Sequence, residues 1–332
     1  MARIITHYLR AATNNNPVKR LSIKRKMATL STAMELKGSE TPRPSKMPRL
    51  VYGTAWKKKR SSDLVFEALR QGFRGIDTAA QPRHYQEKLV GDGIRRAIAE
   101  GIVTRDELYI QTKYTPLSGQ DHDDMPYSVT HTVEESVHAS VASSLSNLKT
   151  SSDEDSYLDC LVLHSPTPTI EDTYLVWSTL ESYVPHKIRA LGISNTTLSI
   201  LSSLTESMKI PPSVCQNRFY HTTKYELCLR QFCEQEDIIY QSFWTLSGNP
   251  ALLKSAVIAS LAELVGVDKE VALYAMVLGL GKICILDGTT NPDHMEHDLK
   301  GVKLVESWAQ GEGRSGYEET LKEFKALISE VD

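Results

Sequence analysis

A chain of 332 residues, 41% of them hydrophobic, is long enough to bury a large core as one domain or as two. Its 38 lysines and arginines face 41 aspartates and glutamates, so the chain lacks the basic excess that holds nucleic acid or an anionic membrane surface. Its best apolar run, residues 271–280, is too short to span a membrane. We therefore expect neither a nucleic-acid partner nor integral membrane association.

The N-terminal region is basic and poor in apolar residues. Residues 1–34 contain seven lysines and arginines and no acid, a composition shared by mitochondrial transit peptides and disordered arms. Three prolines follow within residues 38–48. We expect residues 1–48 to form a disordered extension and the folded domain to begin at Arg49, while Met27 leaves open whether residues 1–26 belong to the mature protein. Five cysteines without a CxxC pair favour a cytoplasmic location, with mitochondrial targeting as the alternative.

From Arg49 onward, short apolar runs alternate with longer helical patterns. The predicted helices include residues 62–71, 89–99, 129–148, 170–183, 198–208, 225–236 and 269–280. Eight predicted strands precede or separate them, at residues 50–53, 75–77, 108–113, 158–164, 188–193, 213–216, 238–243 and 282–286. This alternation indicates a parallel sheet covered by helices, either a closed barrel or an open doubly wound sheet.

Polar residues at the strand ends favour the barrel. Five different strands end in, or are followed closely by, a polar residue: Asp77, Lys113, His164, Asn195 and Gln216. A barrel gathers such residues on one rim, whereas an open sheet offers a single crevice, and no GxGxxG follows the first strand. We predict a single-domain (β/α)8 TIM barrel over residues 49–305, with residues 306–332 as a C-terminal tail or helix.

Three of these polar residues, Asp77, Lys113 and His164, complement the nearby Tyr85 chemically. An ammonium at Lys113 would favour the phenolate of Tyr85 and lower its pKa, so that Tyr85 could exchange a proton with a carbonyl. Asp77 would hold Lys113, and His164 would orient the substrate oxygen. The set lacks a hydride donor, which a nicotinamide would supply. Trp56, just after the first strand, is the predicted substrate contact, and the substrate is expected to be a small carbonyl compound.

Five segments, in order, resemble the aldo-keto reductase superfamily, of the fungal type. Residues 73–79 (FRGIDTA), with Tyr85 and Val90-Gly91, resemble the signature around the catalytic aspartate and tyrosine. Residues 110–113 and 157–166 resemble the lysine and histidine strands, and residues 187–195 and 214–217 resemble two segments that hold the nicotinamide carboxamide. The resemblance covers roughly residues 49–305. It implies an NAD(P)H-dependent oxidoreductase that reduces an aldehyde or ketone reversibly, with Asp77, Tyr85, Lys113 and His164 as the catalytic tetrad.

The resemblance also implies a set of cofactor contacts: Gly53, Thr54, Ser194, Asn195, Gln216 and Phe243. Tyr240 or Trp244 could replace Phe243 as the aromatic ring against the nicotinamide. Thr289, Thr290 and Asn291 offer hydrogen-bond donors at a helix N-terminus for a phosphate. The implied cofactor is NADPH, with NADH possible, because Gly288 and His294 stand where NADPH-selective members carry a lysine and an arginine.

The tetrad tyrosine departs from the family spacing. Tyr85 lies eight positions after Asp77, where five is common, and strict counting back from Val90 selects His84 instead. We assign Tyr85 because a phenol keeps the chemistry intact.

Other functions remain open at this stage. One alternative is a barrel that binds nicotinamide without turnover, as a regulatory or scaffold subunit, and another is a lyase that uses Lys113 as a Schiff base. Residues 121–124 (DHDD) are interpreted as a solvated loop, and we expect no metal site. The short connection between Phe243 and a helix resuming at Pro250 predicts weak cofactor binding. We expect a monomer or a weak homo-oligomer.

Overall fold

The fold is a closed barrel of eight parallel strands surrounded by helices. The computed structural model describes residues 29–37, 46–151 and 156–329. Each strand pairs with its neighbours in chain order, and the last pairs with the first to close the ring. Two short strands, β1 (Met34–Glu35) and β2 (Lys46–Met47), precede the barrel. The barrel strands are β3 (Leu50–Gly53), β4 (Gly75–Asp77), β5 (Tyr109–Tyr114), β6 (Cys160–Leu163), β7 (Leu191–Ser194), β8 (Val214–Arg218), β9 (Ile239–Phe243) and β10 (Ile283–Asp287). The predicted TIM barrel is therefore confirmed.

The described residues form eleven α-helices, which surround the barrel. They are α1 (Ser61–Gln71), α2 (Glu87–Ala99), α3 (Val133–Asn147), α4 (Ile170–Glu181), α5 (Leu198–Ser207), α6 (Leu227–Gln235), α7 (Pro250–Leu253), α8 (Ala256–Val265), α9 (Lys269–Leu278), α10 (Pro292–Gln310) and α11 (Arg314–Leu327). Among the described residues, no helix is both long and apolar enough to cross a membrane.

Side-chain caps fix where several helices begin. Helix α3 starts at Val133 because the Thr132 hydroxyl accepts from the Glu135 N–H while the Glu135 carboxylate accepts from the Thr132 N–H. The predicted start at Val129 is four residues too early for this reason. At the starts of α4, α5 and α8, the hydroxyls of Thr169, Thr197 and Ser255 each accept from the N–H three residues further on, without the reciprocal bond.

The predicted start of the folded domain at Arg49 is too late. Strands β1 (Met34–Glu35) and β2 (Lys46–Met47) form an antiparallel pair outside the barrel. Leu30, Leu36 and Met47 are buried, and Met47 belongs to a small core that includes side chains at the N-terminal end of the barrel. Leu36 and Met47 of the predicted extension thus cover one end of the barrel, while residues 1–28 and 38–45 lie outside the described residues.

The predicted C-terminal boundary also divides a folded unit. Helix α10 continues through residue 305 to Gln310, and α11 follows it. Tyr317 and Phe324 of α11 are buried, and the Tyr317 hydroxyl donates to the Ala275 carbonyl at 3.1 Å. Residues 306–329 are therefore part of the helical layer of the barrel.

Candidate active site

A cavity of about 830 Å³ opens at the C-terminal ends of the strands. This volume lies within the range of cofactor and ligand sites. The predicted site residues that line the cavity are Gly53, Trp56, Asp77, Tyr85, His164, Ser194, Asn195, Gln216, Phe243 and Thr289. They come from the ends of seven strands and the loops that follow them, which is why they are far apart in the chain.

Asp77 and Lys113 form a buried ion pair beneath the cavity. Lys113 Nζ donates to Asp77 Oδ2 at 2.6 Å and to the Thr78 carbonyl at 2.8 Å. Asp77 is the last residue of β4 and Lys113 is the last but one of β5. Because these two strands are paired, the barrel brings the side chains together. Burial alone lowers the pKa of Lys113, but Asp77 and Tyr85 together outweigh burial, and the pKa is raised. Lys113 therefore stays a cation.

Tyr85 lies directly against this ion pair. Lys113 Nζ is 4.9 Å from the centre of the Tyr85 ring, and the His164 ring centre is 5.9 Å away in an edge-on arrangement. Burial raises the pKa of the Tyr85 phenol, and although Lys113 pulls it down, the net shift is upward. The expected lowering of this pKa by Lys113 is real but is smaller than the effect of burial. The phenol is therefore protonated at neutral pH.

His84, the alternative to Tyr85, occupies a different position. Its ring packs on Trp56 with centres 4.0 Å apart, and its Nδ1 contacts Gln81 Oε1 at 2.9 Å. A turn in which the N–H groups of His84 and Tyr85 both donate to the Gln81 carbonyl carries the extra residues after Asp77. This turn explains the unusual spacing, and it places the phenol beside Lys113.

The imidazole of His164 is held neutral. Burial lowers its pKa to about 3, and Lys113 adds to the effect. Nδ1 of His164 contacts the Thr115 hydroxyl at 2.7 Å. In the tautomer in which Thr115 donates to Nδ1, the other ring nitrogen carries the proton. A neutral imidazole of this kind donates a hydrogen bond without bringing a second positive charge beside Lys113.

Three fully or nearly buried glutamines support Asp77 from inside the barrel. Gln111 Nε2 donates to Asp77 Oδ1 at 2.6 Å and Gln216 Nε2 donates to the same oxygen at 3.1 Å. Both amides also donate to Gln241 Oε1, at 2.8 and 2.6 Å. Each oxygen of Asp77 thus has its own donors, Oδ2 from Lys113 and Oδ1 from the glutamines.

The residues expected to contact the nicotinamide lie side by side. Asn195 Nδ2 donates to the His164 carbonyl at 2.9 Å, and Ser194 Oγ donates to the Gln216 carbonyl at 2.7 Å. Phe243 and Trp244 both line the cavity. Tyr240, the other aromatic alternative, is buried in the core, where its hydroxyl donates to the Arg218 carbonyl at 3.1 Å.

Three of the predicted cofactor residues do not line the cavity. Thr54 is fully buried, and its N–H and hydroxyl both donate to the Asp77 carbonyl, at 3.0 and 2.9 Å. Thr290 is exposed. Asn291 caps α10, where its Oδ1 accepts from the Asp293 N–H at 2.9 Å. Thr54 therefore contacts the backbone of a tetrad residue, and Asn291 begins a helix.

Three further residues of this region escaped the sequence reasoning. Gln111 and Thr115 contact tetrad side chains, as described above. Arg218, at the end of β8, packs its guanidinium against Phe243 and Trp244, 5.3 and 4.7 Å from the two ring centres. The sequence did contain a sign of Arg218, because this polar residue lies two positions after Gln216 at the end of the same strand.

Residues 121–124 are exposed, and among the described residues no group of three or more His, Cys, Asp or Glu could hold a metal ion.

Solved structures share this architecture. An aldo-keto reductase of the silkworm Bombyx mori, in complex with NADP, is 20% identical, with a TM-score of 0.65 over 85% of this chain and 94% of that one. An aldo/keto reductase from Brucella melitensis is 19% identical, with a TM-score of 0.64 over 83% and 99% of the two chains. At these identities the likeness concerns the fold.

Curated relatives are more similar in sequence. An NADPH-dependent D-xylose reductase of Meyerozyma guilliermondii is 28% identical over 294 residues, which cover 76% of this chain and 86% of the relative. An NADH-dependent D-xylose reductase of Candida parapsilosis is 27% identical over 311 residues, which cover 83% and 89%.

The family model of the Aldo/keto reductase family matches residues 49–260. Nicotinamide-dependent reduction of a carbonyl compound, as expected from the tetrad, is the reaction of this family, and none of the comparisons supports a nicotinamide-binding barrel without turnover. The chain belongs to the aldo/keto reductase family and is an NAD(P)H-dependent oxidoreductase.

Proposed function

We propose that Asp77, Tyr85, Lys113 and His164 carry out the reversible reduction of an aldehyde or ketone to an alcohol, with Tyr85 as the general acid. The observation that carries this proposal is that three groups lie in contact at one place. The Tyr85 phenol lies against the Lys113–Asp77 ion pair, and the neutral His164 ring meets the phenol edge-on. A phenol beside an ammonium and an imidazole can donate a proton, because the ammonium stabilises the negative charge of the phenolate that is left.

The donors around the cavity fit a nicotinamide. When bound, NAD(P)H supplies the hydride that the protein itself lacks. Gln216 uses its Nε2 inside the barrel, toward Asp77 and Gln241, which leaves Oε1 to accept from a carboxamide N–H. Asn195 and Ser194 lie beside it, and Phe243 offers an aromatic face.

Each tetrad residue then has a separate task. The protonated Tyr85 donates to the carbonyl oxygen, and the neutral His164 donates a hydrogen bond to the same oxygen and orients it. As the proton leaves, negative charge develops on the Tyr85 oxygen, and Lys113 stabilises it at close range in a buried site. Asp77 holds Lys113 in position and balances its charge before and after the transfer.

The Schiff-base alternative fits this geometry poorly. A lysine that attacks a carbonyl must be neutral, which burial away from anions achieves by lowering its pKa. Lys113 is fully buried, is paired with Asp77, and has a raised pKa. Borohydride treatment with substrate should therefore leave no adduct on Lys113, and a trapped adduct would support the lyase.

Two exposed tryptophans stand at the mouth of the cavity. Trp56 and Trp244 have 63% and 51% of their surface exposed, and Trp56 packs on His84. We propose Trp56 as a substrate contact that offers an apolar wall to the part of the substrate away from the carbonyl.

Steady-state reduction should be measured with aromatic and aliphatic aldehydes and with D-xylose, each with NADH and with NADPH. Consumption of the cofactor with at least one aldehyde is expected, and none with any would contradict the proposed function.

We propose a cytoplasmic monomer or weak homo-oligomer without a nucleic-acid partner. The support is the balance of charges and the five cysteines, all unpaired. The basic N-terminus keeps mitochondrial targeting as the rival. Cell fractionation of the full chain, and sedimentation with and without DNA, test these points.

A further inference from the structure

Arg218 places a positive charge in the cavity beside the residues expected to contact the nicotinamide. It is the last residue of β8, and it lines the cavity together with Asn195, just after β7, and with Phe243 and Trp244 at the end of β9. These three neighbours are uncharged. The carboxylates that line the cavity lie elsewhere, on β4, β10 and α10 and at the start of α9.

The guanidinium of Arg218 has no counter-ion among the residues that the structure describes. Its one hydrogen bond to them runs from Nη1 to the neutral amide oxygen Oδ1 of Asn195, at 3.3 Å. Nε is buried and donates to no described residue. Arginine is always charged and has five N–H donors, and partly buried charges in proteins are normally paired. Arg218 therefore has the capacity to bind an anion in the cavity.

Two aromatic rings hold the guanidinium without using its donors. The central carbon of the guanidinium is 5.3 Å from the ring centre of Phe243 and 4.7 Å from that of Trp244. A guanidinium packs on aromatic rings through its flat face, whereas its N–H donors point outward in its plane. This packing fixes the position of Arg218 and leaves donors for the two oxygens of a carboxylate.

The backbone around Arg218 is also unusual. Asn195 has a φ of 51° and Trp244 a φ of 59°, so two of the three residues that contact the guanidinium are in the left-handed region. Asparagine adopts this region readily, but for a bulky residue such as tryptophan it is unfavourable. Strained residues of this kind cluster at ligand sites. The strain at Trp244 is therefore consistent with a ring that is held in place for binding.

The substrate is the partner that can bring an anion to this part of the cavity. The nicotinamide ring has to lie beside the tetrad, and its carboxamide is uncharged. A ribose separates the phosphates of the cofactor from that ring. The substrate carbonyl lies at the same ring, because it receives the hydride there. Asn195 connects the two places, since its Nδ2 donates to the His164 carbonyl at 2.9 Å while its Oδ1 accepts from Arg218.

We propose that Arg218 binds a carboxylate on the substrate, so that the protein prefers aldehydes or ketones that carry one. This assignment rests on the proposed function, because the tetrad fixes where the carbonyl lies. A carboxylate has one negative charge, which one guanidinium balances. A phosphate has a charge of about −1.5 to −2, and the neighbours Asn195, Phe243 and Trp244 add no second cation. Arg218 is thus a specificity-determining residue.

The first test compares two aldehydes of the same shape and different charge, 4-formylbenzoate and 4-formylbenzamide. Steady-state reduction of both should be measured with the full wild-type chain at neutral pH, with NADH and with NADPH. We expect kcat/KM to be at least about tenfold higher for 4-formylbenzoate, because its carboxylate forms charge-assisted hydrogen bonds with Arg218. Equal values, or a preference for the amide, would overturn the proposal. This comparison needs no variant.

Matched variants then assign the preference to Arg218. Arg218→Met keeps an unbranched side chain against the two rings but removes the charge, and it should reduce the ratio of the two kcat/KM values about 10- to 100-fold. Arg218→Lys should retain part of the preference, because an ammonium keeps the charge without the planar fork. Arg83→Gln is the control, since Arg83 is exposed and does not line the cavity. An unchanged ratio in Arg218→Met, or an equal loss in Arg83→Gln, would overturn the proposal.

Binding measurements separate this proposal from the proposed function. The corresponding alcohols, 4-(hydroxymethyl)benzoate and 4-(hydroxymethyl)benzamide, should be titrated calorimetrically into the protein loaded with NADH or NADPH, where no hydride can be transferred to them. We expect the benzoate to bind about tenfold more tightly, and Arg218→Met to lose this difference. That result without turnover of any aldehyde would support the role of Arg218 and contradict only the proposed function. Turnover without a charge preference would contradict only the role of Arg218.

The diphosphate of the cofactor is the other anion that could reach Arg218. If it does, Arg218→Met should weaken the binding of both NADH and NADPH and leave the preference between the two alcohols unchanged. That outcome would overturn the proposal. We expect the reverse, a lost preference between the alcohols with cofactor dissociation constants within about threefold of the wild type.

Discussion

The amide of Gln111 donates a 2.6 Å hydrogen bond to Oδ1 of Asp77, the oxygen that Lys113 does not use. Lys113 is fixed to Oδ2 at the same distance. The carboxylate is therefore held on both sides, and the Lys113 ammonium sits at a defined distance beneath the Tyr85 ring. A tetrad held in this way needs little reorganisation during proton transfer.

Replacing Gln111 tests this arrangement. Gln111→Leu removes a donor to Asp77 and to Gln241, and we expect a loss of about 1 to 3 kcal/mol in the free energy of unfolding, because buried acceptors lose their partner. Urea denaturation measures it. We also expect a fall in kcat with an altered pH profile, since the Lys113–Asp77 pair is less well fixed. An unchanged profile together with unchanged kcat would show that Gln111 only fills space.

The neutral His164 makes stability depend on pH. Its pKa is about 6.5 in an unfolded chain and about 3 in the folded one, so between these values the unfolded state binds the extra proton and stability falls as pH falls. From pH 7 to pH 5 the wild type should lose about 2 kcal/mol more than His164→Gln. Denaturation curves of both proteins at pH 7, 6 and 5 provide the comparison. Parallel losses would mean that the folded imidazole titrates normally.

The short loop after β9 predicts weak cofactor binding. Residues 244–249 are tied down by Asn249, whose Nδ2 donates to the Phe219 and Thr245 carbonyls at 2.5 and 3.0 Å. This loop is not free to close over a cofactor. Fluorescence titration should give dissociation constants in the micromolar range or above, and stopped-flow traces should show one step without a slow closing phase. A submicromolar dissociation constant for NADPH would contradict this prediction.

Gly91 allows two helices to approach closely. A Cβ built on it would lie 1.9 Å from the Asn147 carbonyl oxygen at the end of α3. Gly91→Ala should therefore destabilise the protein by about 1 to 3 kcal/mol or more, because α2 and α3 must separate. Gly288→Ala is the control and should stay within about 0.5 kcal/mol, since its Cβ would meet only Lys57 Nζ, at 3.9 Å. Thermal unfolding of the two variants compares them, and equal midpoints would show that the contact between α2 and α3 can absorb a methyl group.

The alternation of apolar runs predicted all eight barrel strands, because short strands buried on both faces leave a clear hydrophobic pattern. Their ends shifted by only a few residues. The N-terminal boundary was wrong because Leu30, Leu36 and Met47 are isolated in a polar segment, and their burial depends on surfaces supplied by distant strands and helices. Local composition cannot reveal such a surface.

The candidate site was predicted best where a residue type carries its own chemistry. Asp77, Lys113 and His164 lie where strand-end placement puts them, whereas the glutamine network was invisible because Gln111 and Gln241 are 130 residues apart in the chain. Thr54 and Asn291 carry the expected polar groups, but the Thr54 hydroxyl donates to the Asp77 carbonyl and the Asn291 side chain caps α10. Hydrogen bonds of this kind depend on tertiary geometry.

The role of Tyr85 as the general acid can be tested against the alternative, His84, by comparing two variants. Initial rates of NADH and NADPH oxidation should be measured with the best aldehyde for the wild type, Tyr85→Phe and His84→Gln. We expect Tyr85→Phe to lose about 10² to 10⁴ in kcat with its cofactor dissociation constant unchanged, and His84→Gln to lose less than about tenfold. A Tyr85→Phe enzyme that keeps its kcat while His84→Gln loses it would show that His84, and not Tyr85, is the general acid.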